Sequence, residues 1–259
     1  MKAYDYIVMV SKPASQSQPG YNAAIGQPEK PLLKRNKEKK LKAVEIRGYY
    51  EFCRLDIIAL ITHKETEPIS VLEIGCSGGG TLAKITDIWK EASVKGVEIV
   101  PEIAKIAQDR GLDVICCNIE DTHLPYEEES FDYIITADVL EHLREPEDVL
   151  KGLLPYLKKS GSVLCSLPNI QHISIIKNLM KGKFEYTDSG ILDKSHLRFF
   201  TMHSTRELFA NVGLSIEVLQ GSTWTGEGVL LTDIINEAAD SKQMYEFLQF
   251  LISAKKLSD

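Results

Sequence analysis

The segment Ile69–Gly80 carries the pattern that most constrains the fold of this chain. Its sequence, ISVLEIGCSGGG, runs from an apolar strand pattern directly into a glycine-rich turn. Glycine has no Cβ to keep the backbone away from a ligand, and a helix that begins at such a turn offers free N–H groups to a carboxylate or phosphate. The segment therefore predicts a strand, a turn and a helix that together cradle a nucleotide-like ligand.

Strand-like and helix-like segments alternate after this turn. Strands are predicted at Ile69–Ile74, Val94–Glu98, Asp113–Cys116, Phe131–Thr136 and Ser162–Ser166. Helices are predicted from the glycine turn to Lys90, at Pro101–Arg110 and at Pro146–Lys158. Such alternation is typical of a parallel sheet with helices on both faces. Ligands bind beyond the carboxyl ends of the strands in these sheets, so polar residues there form the candidate site.

A long insertion is predicted after the fifth strand, at about residues 167–203. It contains a helix at about His172–Lys181 and the aromatic-rich run FEYTDSGILDKSHLRFF. A connection of this length is usually functional. The elements predicted after it are a helix at Ser204–Asn211, a strand at Leu214–Leu219, a helix near Gly228–Ala239 and a strand at Phe247–Ala254.

The N-terminal residues 1–40 are predicted to be a partly flexible arm ahead of one domain at residues 41–259. Most of the arm is rich in Ser, Gln, Pro and Gly and has neither helical nor strand periodicity. Between Leu41 and Thr62, apolar residues recur near helical spacing, which predicts one or two helices that lead into the core.

The charge balance argues against a polyanionic partner. The chain has 30 Lys and Arg against 37 Asp and Glu, a formal net charge of −7. Nucleic acid is therefore not the expected partner, and a small or neutral substrate fits better. No apolar run approaches the roughly 20 residues that span a bilayer, and no signal peptide is visible, which predicts a cytoplasmic protein without a membrane span. The five cysteines lack CxxC spacing, which favours buried free thiols.

The glycine turn by itself fits more than one class of protein. GCSGG matches the nucleophile elbow of serine hydrolases, with Ser77 as the nucleophile. Dinucleotide dehydrogenases share both the turn and an acidic residue such as Glu98, which ends the second strand where a carboxylate can accept ribose hydroxyls. The third strand leads to Asn118–Glu120, where a polar side chain would meet an adenine amino group and Ile119 would pack on the ring. Dehydrogenases do not obviously share this third feature.

Together these segments resemble the ordered motifs of class I S-adenosylmethionine-dependent methyltransferases. The matching runs are VLEIGCSGGG, VKGVEI, NIEDTHLPYEEESFDYIITADVLEHL and LKKSGSVLCSLPN, within about Ile69–Asn169. Ser77 replaces the middle glycine of the family pattern, and Cys-Asn-Ile-Glu replaces the frequent G-D-A/I-E. The resemblance implies an α/β, Rossmann-like fold with a seven-stranded, mostly parallel sheet flanked by helices. The last strand would be antiparallel, and an insertion would follow strand 5.

The resemblance also implies S-adenosylmethionine as cofactor and S-adenosylhomocysteine as its product. The methionine portion, the ribose and the adenine would contact the ends of the first, second and third strands, and the end of the fourth would lie beside the sulfonium. Gly48–Glu51 and Arg54 would close over the cofactor as a lid. The implied cofactor-binding residues are Glu73, Gly75, Cys76, Ser77, Gly79, Glu98, Ile99, Asn118, Ile119, Glu120, Ala137, Asp138 and Val139.

The run Asp138–His142, DVLEH, is the candidate for the catalytic chemistry. If it forms a helical turn, Asp138, Glu141 and His142 fall on one side. The run resembles the E-x-x-E-H of ubiquinone-pathway O-methyltransferases and small-RNA 2′-O-methyltransferases, in which a divalent metal activates a hydroxyl, with His196 as a fourth ligand. The favoured interpretation is instead a general base, His142 or His196, because histidine titrates near neutrality.

The insertion resembles the acceptor-side segment of methyltransferases encoded with bacterial polysaccharide and lipid-linked glycan genes. Residues 168–201 match the pattern P-N…H…G-x-F-x-Y…G-x-L-D-x-x-H-L-R-F-F-T. The resemblance implies a sugar hydroxyl as the acceptor, with RNA 2′-O-methylation as the alternative that the acidic charge opposes. Most of four aromatic residues are expected in the insertion's core: Phe184, Tyr186, Phe199 and Phe200.

Overall fold

Seven strands form one sheet in the part of the chain that the structure, a computed structural model, describes: residues 53–222 and 242–257. The strands are β1 Ser70–Ile74, β2 Ser93–Glu98, β3 Asp113–Cys116, β4 Phe131–Ala137, β5 Leu157–Pro168, β6 Leu214–Ser222 and β7 Gln249–Lys256. Their order is β3-β2-β1-β4-β5-β7-β6. Strands β1 to β5 are parallel, and β7 is antiparallel to both neighbours, β5 and β6. The predicted sheet is confirmed.

Six α-helices accompany the sheet in the same described residues. They are α1 Leu55–Ile58, α2 Gly80–Ile88, α3 Pro101–Asp109, α4 Pro146–Leu153, α5 Ile173–Met180 and α6 Met202–Asn211. Proline opens α3 and α4, where a missing N–H is not needed. Thr201 and Ser204 cap the start of α6 reciprocally. No helix in this part of the chain is long and apolar enough to cross a membrane.

Apolar side chains pack against both faces of the sheet. Successive residues of a strand point to opposite faces. Leu72 and Ile134 therefore join a buried cluster with α4 and α6, whereas Val71 and Ile135 join a second cluster with α2 and α3. Burial of each such side chain contributes about 1.5–3 kcal/mol. The two layers fix the strands, and with them the strand ends that carry the candidate site.

The helix predicted at Pro146–Lys158 is too long. Helix α4 ends at Leu153, and β5 begins at Leu157. Pro155 lies between them in a 3-10 turn, because proline lacks an N–H and disfavours the helical conformation of the residue before it. The start of β5, predicted at Ser162, is five residues too late, and the other predicted bounds within the described residues agree to within a few positions. The arm at 1–40, the lid segment Gly48–Glu51 and the helix near Gly228–Ala239 lie outside the described residues.

The insertion connects β5 to α6 at the carboxyl end of the parallel strands. Its first residues are held by hydrogen bonds from Asn169 N to Leu248 O at 2.8 Å and from Ile170 N to Phe200 O at 3.0 Å. Phe200 is buried, but Phe184 and Tyr186 are 42% and 52% exposed. Phe199 is half-buried. Only one of the four aromatic residues is therefore buried, and the expectation that most of them form the insertion's core is wrong.

Candidate active site

The sheet order reverses at β1, whose neighbours β2 and β4 lie on opposite sides, so the crevice expected to bind a ligand opens at its carboxyl end. Gly75 and Gly79 of the turn that follows have positive φ angles of 69° and 78°. A Cβ at Gly75 would lie 2.7 Å from Val139 Cγ2, and one at Gly79 would lie 2.2 Å from Leu112 Cδ1. The turn therefore requires glycine at both positions and abuts the segment after β4.

Cys76 and Ser77 complete this turn. The Cys76 thiol packs against Gly96, where a Cβ would lie 2.6 Å from its Sγ, and burial raises its pKa. Ser77 has a φ of 52°, and its N–H donates to Glu98 Oε2 at 3.0 Å. Within the described residues, no histidine ring is hydrogen-bonded to the Ser77 hydroxyl. A serine nucleophile is usually activated by such a base.

Glu98, at the end of β2, lies beneath the turn. It is 3% exposed, and it accepts the N–H groups of Ser77 at 3.0 Å and Val100 at 2.9 Å. Burial raises its pKa. Each carboxylate oxygen has a second lone pair, so Glu98 can accept further donors without losing these bonds. Ile99, which follows it, is half-buried.

Glu73 on β1 is a buried carboxylate with an unsatisfied oxygen. It is 4% exposed, and its Oε2 has no hydrogen-bond partner. Burial raises the pKa of Glu73 to about 8, although a hydrogen bond from Thr81 and the charge of Arg54 oppose this shift. A cationic group from outside the chain would supply the missing partner.

The loop after β3 is closed by its own hydrogen bonds. The Asn118 amide donates to Asp121 at 2.6 Å, and its oxygen accepts the Glu120 N–H at 3.1 Å. The Glu120 carboxylate accepts the N–H of Arg144 at 2.8 Å, which ties this loop to the segment after β4. Ile119 packs half-buried against the core. Ile119 and Glu120 also line a cavity of about 580 Å³ between the loop and α4.

Asp138 lies at the centre of a hydrogen-bond network after β4. Arg54 forms an ion pair with its carboxylate, and Ser166 Oγ and Gln249 Nε2 each donate to its Oδ1 at 2.8 Å. Its φ of 53° is left-handed, and the following turn is a 3-10 helix at Leu140–His142. The condition for Asp138, Glu141 and His142 to fall on one side, a single helical turn over Asp138–His142, is therefore not met. Its neighbours Ala137 and Val139 are half-buried.

Two of the four residues in this network are not indicated by the sequence. Arg54 was expected only in a lid, and neither Ser166 nor Gln249 was a candidate. Ser166 lies near the carboxyl end of β5, and Gln249 begins β7, which is antiparallel to β5. The general preference for ligand sites at strand ends indicates both residues once β7 is placed beside β5.

Glu141, His142 and His196 meet in a buried group, which we call the Glu–His–His cluster. Glu141 and His142 lie in the 3-10 turn, and His196 comes from the insertion. One ligand atom from each residue lies within 4.8 Å of the others. The two imidazole rings are 4.8 Å apart between centroids and inclined at 76°. The structure thus brings together three of the four residues considered for a metal and leaves Asp138 outside the group.

Hydrogen bonds orient both histidines of the cluster. His142 Nδ1 lies 3.2 Å from the Ser195 carbonyl oxygen, and His196 Nδ1 lies 3.0 Å from that of Ile191. A carbonyl only accepts, so each Nδ1 is assigned the proton and each Nε2 the lone pair. Both carboxylate oxygens of Glu141 and the Nε2 of His142 are buried without a hydrogen-bond partner. A backbone carbonyl on the second nitrogen is a usual partner of metal-ligating histidines.

Burial sets the protonation of the cluster. It raises the pKa of Glu141 well above its usual value, and the charge of Asp138 adds to this effect. Burial, followed by the neighbouring His196, lowers the pKa of His142 to about 4. Burial also lowers the pKa of His196. Both imidazoles are therefore neutral at physiological pH, which is the form that binds metal.

Main-chain hydrogen bonds fasten the insertion to this cluster. The N–H groups of Leu197 and Arg198 both donate to the Glu141 carbonyl, at 2.8 and 3.0 Å. Just before His196, the buried Asp193 accepts the N–H of Ser195 at 2.8 Å and its hydroxyl at 2.6 Å. The position of His196 thus depends on backbone contacts at both of its sides.

Residues 46–219 match the profile of a family described as a methyltransferase domain. The chain belongs to this methyltransferase family. The match includes the glycine turn, the ends of β1 to β5 and the whole insertion. With the seven-stranded sheet, it places the chain among the class I S-adenosylmethionine-dependent methyltransferases.

Similar proteins agree with this family. A mitochondrial ubiquinone biosynthesis O-methyltransferase of Rattus norvegicus is 27% identical over 177 residues, which are 62% of this chain and 50% of the relative. An uncharacterised protein of Methanocaldococcus jannaschii is 31% identical over 171 residues, 61% of this chain and 77% of that protein. The chain spans about half the length of its mammalian relatives. A SAM-dependent methyltransferase of Thermotoga maritima shares the fold, with a TM-score of 0.57, 18% identity and coverage of 87% and 98% of the two chains.

Proposed function

We propose that this protein transfers the methyl group of S-adenosylmethionine to an oxygen of a small or glycan-linked acceptor. The observation that carries the proposal is the Glu–His–His cluster, which follows β4 directly and holds buried polar atoms without partners. A hydroxyl must lose its proton when it is methylated, and the cluster supplies groups that promote this loss. The name of the rat relative, an O-methyltransferase, supports oxygen as the acceptor atom.

The cofactor would lie across the carboxyl ends of β1 to β4. S-adenosylmethionine supplies an electrophilic methyl carbon, and in-line transfer requires that the protein align acceptor and sulfur. The residues fit this cofactor, because the unpaired Oε2 of Glu73 can accept the amino group of the methionine portion. The proposed contacts of Glu98 with the ribose and of Asn118–Glu120 with the adenine fit the spare lone pairs of Glu98 and the apolar surface of Ile119.

Glu141, His142 and His196 would hold a divalent cation in the proposed enzyme. One carboxylate and two neutral imidazoles suit a transition metal such as Zn²⁺, Mn²⁺ or Fe²⁺. When bound, such a cation supplies Lewis acidity that lowers the pKa of a nearby hydroxyl. A histidine acting alone as general base fits less well, because a pKa of about 4 makes His142 a weak base at neutral pH.

The acceptor is proposed to be a sugar hydroxyl, which would place the enzyme in polysaccharide biosynthesis. The support is the insertion, whose sequence pattern includes both His196 of the cluster and the exposed aromatic residues next to it. The net charge of −7 opposes RNA as the acceptor.

Two experiments test these proposals separately. Isothermal titration with S-adenosylhomocysteine should show binding, and no binding at submillimolar concentration would refute the cofactor assignment. Turnover with a pool of sugar nucleotides should be lost after EDTA treatment and restored by added Zn²⁺ or Mn²⁺. His142→Ala and His196→Ala should lose turnover and keep cofactor binding, whereas His203→Ala, with a side chain 82% exposed, should keep both. Turnover that survives EDTA would refute the metal proposal and favour the histidine base.

A further inference from the structure

Three aromatic side chains of the insertion form an exposed surface, which we call the aromatic platform: Phe184, Tyr186 and Phe199. The ring centroid of Phe184 lies 5.6 Å from that of Tyr186 and 6.1 Å from that of Phe199. Both ring pairs pack edge to face. Phe184 is 42% and Tyr186 52% exposed. Clustered exposed apolar side chains, unlike isolated ones, are typical of binding surfaces.

The platform is continuous with the Glu–His–His cluster. The Phe199 ring lies 6.3 Å from the His196 ring, which in turn lies 4.8 Å from that of His142. A ligand on the platform would therefore extend toward the atoms that carry the proposed chemistry. Binding energy from such a non-reacting part of a substrate can be used to align the reacting part.

The backbone holds the platform in a fixed position relative to His196. Thr187, which follows Tyr186, donates its N–H to the Leu192 carbonyl at 2.8 Å and accepts the N–H of Lys194 at 3.0 Å. These bonds close the loop that leads to His196. Little ordering of the platform is then required when a ligand binds, which favours affinity.

We propose that the aromatic platform binds a neutral sugar ring of the acceptor, adjacent to the ring whose hydroxyl is methylated; this inference rests on the proposed function. The C–H face of a sugar ring carries weakly positive hydrogens, which are attracted to the electron-rich faces of aromatic rings. Four polar side chains near the platform residues in the sequence are exposed and have groups that can bond sugar hydroxyls: Lys183, Glu185, Asp188 and Lys194.

The same charges oppose two other occupants. Glu185 and Asp188 are exposed, as are Lys183 and Lys194, so these four side chains carry no net positive charge that would attract an anionic lipid surface or a nucleic acid backbone. Lys194 is paired with Asp188. The mixed and partly neutralised charge suits a ligand that is polar and uncharged.

Fluorine NMR of the full chain saturated with S-adenosylhomocysteine tests this inference. The protein is labelled with 3-fluorotyrosine, and Tyr186→Phe identifies the Tyr186 signal. The probes are four neutral disaccharides, cellobiose, lactose, diacetylchitobiose and mannobiose, at millimolar concentration. At least one should shift the Tyr186 signal, and Phe184→Ala should weaken that binding about tenfold. The control Val218→Ala, which trims a 40% exposed side chain on β6, should leave it unchanged.

Absence of a shift with all four disaccharides overturns the inference. A shift caused by phosphatidylglycerol vesicles, with none from the sugars, overturns it in favour of a membrane surface. Binding of S-adenosylhomocysteine to the protein is measured separately by titration, because the NMR sample already contains it. Failure of that titration would contradict the proposed function, whereas cofactor binding without a sugar shift would contradict the platform alone.

Discussion

The two halves of the candidate site differ in how far the chain satisfies its own polar atoms. On the side proposed to bind the cofactor, which we call the cofactor side, the carboxylates of Glu98 and Glu120 accept backbone N–H groups, and Glu73 Oε2 is the exception. On the side proposed to bind the acceptor, which we call the acceptor side, both oxygens of Glu141 and the Nε2 of His142 are buried without a partner. Buried polar groups are nearly always paired, and each orphan costs on the order of 1–3 kcal/mol. The acceptor side is thus arranged for a partner from outside the chain.

Glu141→Gln provides the strongest test of this difference. Turnover should fall by roughly 10²-fold or more, because an amide is a poor metal ligand and no base. The free energy of unfolding should rise, since a neutral amide replaces a carboxylate that burial disfavours. Assays of methyl transfer and urea unfolding measure the two effects. The exposed Glu128→Gln should change neither, and a loss of stability in Glu141→Gln would mean that its carboxylate is satisfied within the chain.

Gly75→Ala tests the cofactor side. The new Cβ would lie 2.7 Å from Val139 at a φ of 69°, so the free energy of unfolding should fall by about 1–3 kcal/mol. Affinity for S-adenosylhomocysteine should fall about tenfold as the turn shifts. Val139→Ala in the same chain should recover part of both losses.

Gly152→Ala is the matched control for this substitution. Nothing lies within 4 Å of its added Cβ, and Gly152 lies inside α4, where alanine stabilises a helix by up to about 1 kcal/mol. Cofactor affinity should not change. Equal effects of the two glycine substitutions would show that the turn is not the constrained element described above.

Glu73 should make stability depend on pH. Its pKa is about 8 in the folded protein against the usual 4.5, so the folded state binds the proton more tightly than the unfolded chain. The stabilisation is present below about pH 4.5 and is lost as the pH rises toward 8. Glu73→Gln should reduce this decline by on the order of 1–2 kcal/mol, measured as urea midpoints across the pH range. If the stability of Glu73→Gln declines with pH as much as that of the unmodified protein, the decline comes from other groups.

Ser77→Ala should have the smallest effect. Turnover should change by about threefold at most, because loss of an acid–base or nucleophilic group costs about 10²–10⁴-fold and this hydroxyl has no such role. A radiolabelled methyl-transfer assay measures it. If Ser77→Ala abolishes turnover and leaves cofactor binding intact, Ser77 acts as a nucleophile.

The strand ends of the proposed cofactor side could be predicted from the sequence because they are set locally. Gly75, Glu98 and Asn118 each follow a short apolar run, and a parallel sheet brings all such ends to one edge. Pro155 accounts for the misplaced end of the helix before β5, since a single proline ended the helix that apolar periodicity had extended.

The acceptor side depends on contacts between distant segments, which periodicity does not indicate. Gln249 reaches Asp138 only because β7 inserts between β5 and β6. The exposure of Phe184 and Tyr186 also has no local signal, because the segment that carries them follows neither a helical nor a strand period. Aromatic composition alone suggested a core, and only the folded loop shows a surface.

The carbonyl of Glu141 accepts the N–H groups of Leu197 and Arg198. These main-chain bonds bear on how acceptor preference could diverge within such a family. Main-chain groups do not change when side chains are exchanged. Mutations could therefore replace the residues around Phe184 and Tyr186 while His196 stays in register with His142. The residues proposed to choose the acceptor and the histidine proposed to serve the chemistry thus lie on one continuous loop, but they can change independently of each other.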